Sequence, residues 1–221
     1  MTSGDFWYED YLGHERFEKF FVAAEKNRTT AIALVEWDRE MRGELQKVLG
    51  EWEIAMRNAY DLTMRSWWEG EKHWLLDPKS PVQQPIWHRY EDINEGSRLT
   101  ISKAVKRAGP KAPIGKVIAN LSLDFWRYLT SKRREKSLWV PALHRAYPKG
   151  MNRGYIDHRI DLLYRLRNQV AHNEPVFHRP IRQHTATLIH TCELIVPPLA
   201  DAIFERASIS TLWAKCPINL P

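Results

Sequence analysis

Apolar residues recur along this 221-residue chain at intervals of three, four and seven, without the sustained alternation that marks strands. The longest series is Leu34, Met41, Leu45, Val48, Trp52, Ala55, Ala59 and Leu62. It marks one face of a helix expected over about residues 29–67, with Gly50 as the place for a kink. Phe17, Phe20, Phe21 and Ala24 predict a shorter helix before it. Three prolines hold residues 77–85 out of helix. Further helices are expected over 90–108, stopping at Gly109-Pro110; over 123–130, with Ser122 as N-cap; and near 141–147. A helix over 155–173 follows, then a pair across 180–206 broken at Pro197-Pro198. No repeat of solenoid length and no long linker is present. The pattern predicts one all-α domain over residues 1–221, a helical bundle with irregular N- and C-terminal tails.

Composition narrows the class. Hydrophobic residues at 43% and charged residues at 27% are ordinary for a soluble globular protein. No apolar run is long enough for a membrane span, and the acidic N-terminal decapeptide lacks the apolar core of a signal peptide. Cys192 and Cys216 sit outside any metal or redox spacing, so reduced thiols and a cytoplasmic location are expected. Charge is unevenly spread. Residues 101–150 hold twelve Lys and Arg against Asp124 and Glu135, so this segment carries +10 of a chain whose net charge is +6. Its sharpest run contributes Lys132, Arg133, Arg134 and Lys136, candidates for RNA contact; the competing reading is a solvated helix end.

The most informative segment is Arg165-Leu-Arg-Asn-Gln-Val-Ala-His-Asn-Glu174, which holds Arg167, Asn168 and His172 in the spacing R-N-x-x-x-H at the end of a helix. Cleaving RNA through attack of a ribose 2′-OH needs a base, an acid and a cation for the phosphoryl oxygens. Histidine can carry either proton step, and arginine presents a fork that matches phosphate, so the chemistry calls for no metal or other cofactor. At about 100° per residue, Asn168 and His172 share a face, where the amide could orient the imidazole. Arg167 lies about 140° from His172 around the same helix, so one straight helix does not join them. Arg165 does share the His172 face and is the alternative cation. The plainer reading is a solvated stripe of His158, Asp161, Arg165, Asn168 and His172 opposite Ile160, Leu163, Leu166 and Val170.

The run from Leu166 to Phe177 resembles the signature of the HEPN ribonucleases, and its continuation Ala-His-Asn-Glu-Pro-Val-Phe resembles the Abi-like, abortive-infection branch of bacterial phage defence. Two more segments resemble that branch in order: Glu53-Ile-Ala-Met-Arg-Asn-Ala59 and Gly115-Lys-Val-Ile-Ala-Asn-Leu-Ser-Leu-Asp-Phe-Trp-Arg-Tyr-Leu129. Together the resemblance spans about residues 10–205. It implies a metal-independent endoribonuclease, leaving 2′,3′-cyclic phosphate and 5′-OH ends, that works as a homodimer with a composite active site. It also implies a growth-arrest role, held in check by an antitoxin or RNA regulator. In that reading His172 transfers the proton, Arg167 stabilises the phosphate and Asn168 orients the base, with Arg165, Glu174, Glu53, Arg57 and Asn58 in support. Glu53 and Arg57 alone read equally as an intrahelical ion pair or as a brace for the cleft.

Two competing functions remain. One is a non-catalytic RNA-binding helical dimer that regulates or partners another defence component; the other is a protein-interaction module whose signature helix is a dimer interface. His184, His190 and Cys192 match no common metal spacing, and Trp126 and Trp139 at helical spacing read as core before they read as base-stacking platforms.

Overall fold

The computed structural model describes residues 7–219, so part of the N-terminal decapeptide read above lies outside it. Its spine is one helix. Two short helices, α1 (Trp7–Leu12) and α2 (His14–Ala23), lead into α3 (Arg28–Trp67), 40 residues long and capped by the Asn27 side chain, which accepts from the Thr30 amide at 3.0 Å. The helix runs unbroken through Gly50: a glycine there weakens a helix by about 1 kcal/mol but removes no backbone hydrogen bond.

The buried face of α3 departs from the expected stripe in its second half. Trp52, Met56, Tyr60 and Met64 are fully buried, whereas Leu62 is exposed and Ala59 lies half-buried. The reason is a change of neighbours. The second half packs on residues from the middle of the chain: the Tyr60 and Tyr147 hydroxyls meet at 2.6 Å, and Trp74 Nε1 donates to Asp61 at 2.8 Å. Steps of four turn the buried stripe toward them.

The expected helix over 90–108 begins only at Glu95. Before it, β1 (Trp87–His88) and β2 (Glu91–Asp92) form a small antiparallel hairpin. Arg89 and Tyr90 take positive φ at both central turn positions, the geometry of a tight hairpin turn that usually calls for Asn or Gly. Asp92 then accepts from the Ile86 and Asn94 amides, and Asn94 donates to Pro81 and Gln84, closing the proline loop onto the start of α4 (Glu95–Ala108).

After α5 (Ile114–Asn120) comes α6 (Leu123–Arg127), which tightens into 3₁₀ turns over Tyr128–Thr130 and Lys132–Arg134, a π turn over Glu135–Trp139 and a further 3₁₀ turn over Leu143–Ala146. Trp126 and Trp139 are buried core, as is Trp74. Arg127, also buried, joins α6 to α7 (Arg153–Ala171) by donating to Asp157 at 2.6 Å and Asp161 at 2.9 Å. Burial works against its charge, but the two aspartates hold the guanidinium above its ordinary pKa.

The chain ends in α8 (Ile181–Ile195), α9 (Pro197–Arg206) and α10 (Ile209–Ala214). In the segment expected to be an irregular tail, α10 packs back on α3: Trp37 Nε1 donates to the Leu212 carbonyl at 2.7 Å, and the Trp37 and Trp213 rings lie edge to face. One continuous hydrophobic cluster runs from Phe17 to Ile209. Among the described residues, no helix is long and apolar enough to cross a membrane.

Asp38, fully buried on α3, holds the chain just after α7. Its Oδ1 accepts from the amides of Val176 and Phe177 at 2.7 and 2.9 Å, and Arg42 pairs with Oδ2 at 2.8 Å. Removing the carboxylate strands two buried amides, each costing about 1–3 kcal/mol. Asp38→Ala should therefore lower the free energy of unfolding by about 3 kcal/mol or more in urea titration, with the slope unchanged. Asp38→Asn, which keeps an acceptor, should lose about half as much.

Candidate active site

Local sequence explains how α7 starts, which face it buries and where it stops. Asn152 caps its first turn, accepting from the Tyr155 amide at 3.1 Å. Ile156, Ile160, Leu163, Leu166 and Val170 face the core at helical spacing. Asn173 then adopts the left-handed conformation, with φ 56°. Its amide bonds to the Val170 carbonyl and the Glu174 amide to the Gln169 carbonyl, the paired closure of a Schellman end. This turn leaves His172 exposed as the C-cap just past Ala171 and sends Val176 and Phe177 back to Asp38. Gln169, buried at a core position of the helix, donates to the Pro175 carbonyl and fixes the return.

His172 and Asn168 line one open cavity of about 410 Å³ together with Arg165, Glu174, Arg179 and His184. The structure thus brings together two members of the predicted triad, the alternative cation Arg165 and the supporting Glu174. Arg165 is exposed and pairs with Asp161 at 2.9 Å. Arg179, a second cation that sequence reasoning did not single out, donates from Nε to Gln169 at 2.9 Å.

Asn168 does not orient the imidazole within the chain: among the described residues, no hydrogen bond joins the two side chains. The amide instead lies beside the Tyr164 hydroxyl one turn back, and that hydroxyl donates to Asp124. Burial, followed by the bond to Asp124, pushes the Tyr164 phenol above its usual pKa. The signal for Tyr164 was present in its i−4 spacing from Asn168, but a tyrosine on a mixed face carries no functional mark of its own.

Arg167 lies on a different side of α7, against α3. Its Nε donates to Glu53 Oε2 at 3.0 Å, and Glu53 Oε1 accepts from Arg57 one turn along α3. Glu53 is buried between the two guanidiniums, so the intrahelical ion pair and the brace are the same arrangement. Burial pushes the Arg57 guanidinium below its ordinary pKa; Glu53 opposes that shift, and neighbouring Arg167 adds to it. Glu53 engages only Nε of Arg167. Among the described residues, no hydrogen bond or ion pair takes the two Nη groups, so the fork that matches a phosphate is positioned and open. Asn58 points away from this brace and lines an apolar groove with Ile54, Leu62 and Leu199.

The predicted RNA-contact run divides in the same way. Lys132, Arg133 and Lys136 are exposed, but Arg134 is 4% exposed and points inward, donating to the Ile93 carbonyl and Ser97 Oγ. Arg127, in the same basic segment, is neutralised by Asp157 and Asp161. Linear charge counting overstates the footprint, because folding brings acidic residues from elsewhere onto the segment. Among the described residues, no group of His, Cys, Asp and Glu forms a metal-binding cluster; His190 contacts Tyr155 and Glu193, and Cys192 is a buried free thiol.

Glu53 separates two like charges, so its loss should be felt in stability. Glu53→Gln should cost about 2–3 kcal/mol in chemical denaturation, since it leaves two guanidiniums facing each other in a partly buried site. Adding Arg57→Met should recover part of that loss. An additive double variant would dissolve the proposed coupling.

Comparison of the chain with protein-family models, with curated proteins and with solved structures finds no match, so the functional reading rests on the sequence motif and the geometry described above.

Proposed function

We propose that this protein is a metal-independent endoribonuclease of the HEPN, Abi-like type, acting on RNA as a two-fold dimer. The observation that carries the reading is the placement of the two signature groups. His172 is free at the exposed end of α7, in a cleft with Arg165 and Arg179, while Arg167 is fixed by Glu53 with its fork open on another side of the helix.

His172 transfers the proton between the ribose 2′-OH, or the leaving 5′-oxygen, and solvent. Arg167 holds the charge on the phosphoryl oxygens, and its rigid seat on Glu53 makes it a preorganised cation. Because the two groups diverge on one chain, a second copy supplies the partner: the His172 of one protomer works with the Arg167 of the other. Arg165 shares the His172 cleft and gathers the RNA backbone there. Asn168, beside Tyr164, forms part of the wall of the cleft, and Glu174 adds a carboxylate to its lining. The biological setting that accompanies this reading is an abortive-infection or toxin-type defence protein held in check by an antitoxin or RNA partner.

The test is cleavage of a labelled mixed RNA pool by the purified protein in excess EDTA. Wild type should cut and leave 2′,3′-cyclic phosphate ends, and His172→Ala should be slower by about 10²–10⁴-fold. Mixing inactive His172→Ala with inactive Arg167→Ala should restore cutting, because the mixed dimer rebuilds one complete site. Full activity in a verified monomer would refute the composite site. RNA binding that survives without any cutting would make the protein a non-catalytic RNA-binding module.

A further inference from the structure

A second cavity, about 630 Å³ in volume, opens between α4, α6 and the 3₁₀ turn Lys132–Arg134, away from the His172 cleft. Arg134 lines it and is 4% exposed. Its Nη2 donates to Ile93 and Ser97, but its Nη1 is buried with no hydrogen-bond partner among the described residues. Among the described residues, no carboxylate pairs with Arg134. Asp92 acts on it only at a distance and is itself held by Arg98, so burial pushes the guanidinium down to about 10. A buried donor left without an acceptor is a standing cost, which an anionic oxygen entering the cavity would remove.

The start of α4 adds an independent attraction. Its first-turn residues Gly96 and Ser97 line the same cavity. The N-cap Asn94 makes no side-chain bond to the first-turn amides, its own amide being turned to Pro81 and Gln84. The carboxylates at this helix end, Asp92 and Glu95, are not among the residues lining the cavity. Uncapped amides at the N-terminus of a 14-residue helix favour an anion. Lys132 and Arg133 stand at the mouth. Asp124, the carboxylate among the lining residues, is engaged by Tyr164. The half-exposed ring of Tyr128 also lines the cavity, and an adjoining one that shares Gly96 and Arg133 carries the exposed Trp87 and Tyr90 of the hairpin. These rings offer faces for a base.

We propose that this cavity binds the phosphate group of a nucleotide, seated between buried Arg134 and the N-terminal turn of α4. The site extends the RNA reading of the basic segment, yet its test is binding alone and does not involve His172. The phosphate belongs either to a free nucleotide or to an RNA strand passing the cavity on its way to the cleft.

Calorimetric titration of the full chain with adenosine 5′-monophosphate, inorganic phosphate and a 2′-O-methyl oligoribonucleotide, which lacks the attacking hydroxyl, tests this. Gly96→Asp is the decisive variant. A Cβ at Gly96 meets open space, and a carboxylate in the first turn suits the helix, so thermal stability should hold or rise while the added charge fills the site. Mononucleotide affinity should fall by about tenfold or more in Gly96→Asp, and should fall in Lys132→Ala/Arg133→Ala, but not in His172→Ala. If Gly96→Asp proves unstable, Thr100→Glu, on the next turn of the same wall, places the carboxylate instead. Competition between oligonucleotide and mononucleotide would assign the site to an RNA strand, and mononucleotide binding without competition would assign it to a free nucleotide; either upholds the proposal. Absence of binding by all three probes, or undiminished binding in the carboxylate variants, would overturn it. RNA cleavage without nucleotide binding would sink this site alone, and nucleotide binding without cleavage would sink the ribonuclease reading alone.

Discussion

A carboxylate buried in a helical core must be given partners, and four such carboxylates on α3 organise the rest of the molecule. Asp38 captures the backbone just after α7, Glu44 accepts from the Ser208 amide before α10, Glu53 holds Arg167, and Asp61 holds Trp74 and His73. Asp38, Glu44 and Glu53 each join the spine to a segment distant in sequence, and Asp61 ties it to the loop that follows it. Hydrophobic burial supplies most of the driving force for packing these helices, but it is non-directional. The charged hydrogen bonds supply direction: they set which turn of α7 meets which turn of α3 and where the chain leaves the helix.

This arrangement divides α7 into working faces. One packs on the core. A second presents Arg167, seated by Glu53 against α3. A third carries Tyr164, Asn168 and His172 at successive i+4 positions, beside Arg165. Asp124, in the wall of the basic cavity, accepts from Tyr164, and Asn168 one turn further along α7 lines the His172 cleft.

The basic segment shows the limits of counting charges along a chain. Its +10 is real in sequence, but Arg127 is consumed by two aspartates of α7, and Arg134 is folded beneath the surface. The other ten cations of the segment, Lys132, Arg133 and Lys136 among them, stay exposed. The inward turn of Arg134 is the more informative outcome, since a cation buried without a carboxylate partner among the described residues is rare.

Much of this was legible in the sequence. Helical periodicity located α3 and α7 within one or two residues at most ends, the prolines located the loop before α4 and the break between α8 and α9, and the R-N-x-x-x-H run located the end of α7. Angular arithmetic already separated Arg167 from His172. The hairpin at Trp87–Asp92 was not legible, because its turn residues Arg89 and Tyr90 lack the usual Asn or Gly. Nor were Asp38, Gln169 and Arg179, since a polar residue inside an amphipathic helix reads as solvated until a partner from another element is placed on it. Periodicity is a property of one helix and is written locally. Which buried charge meets which distant backbone or guanidinium depends on how helices cross, and only the tertiary structure decides that.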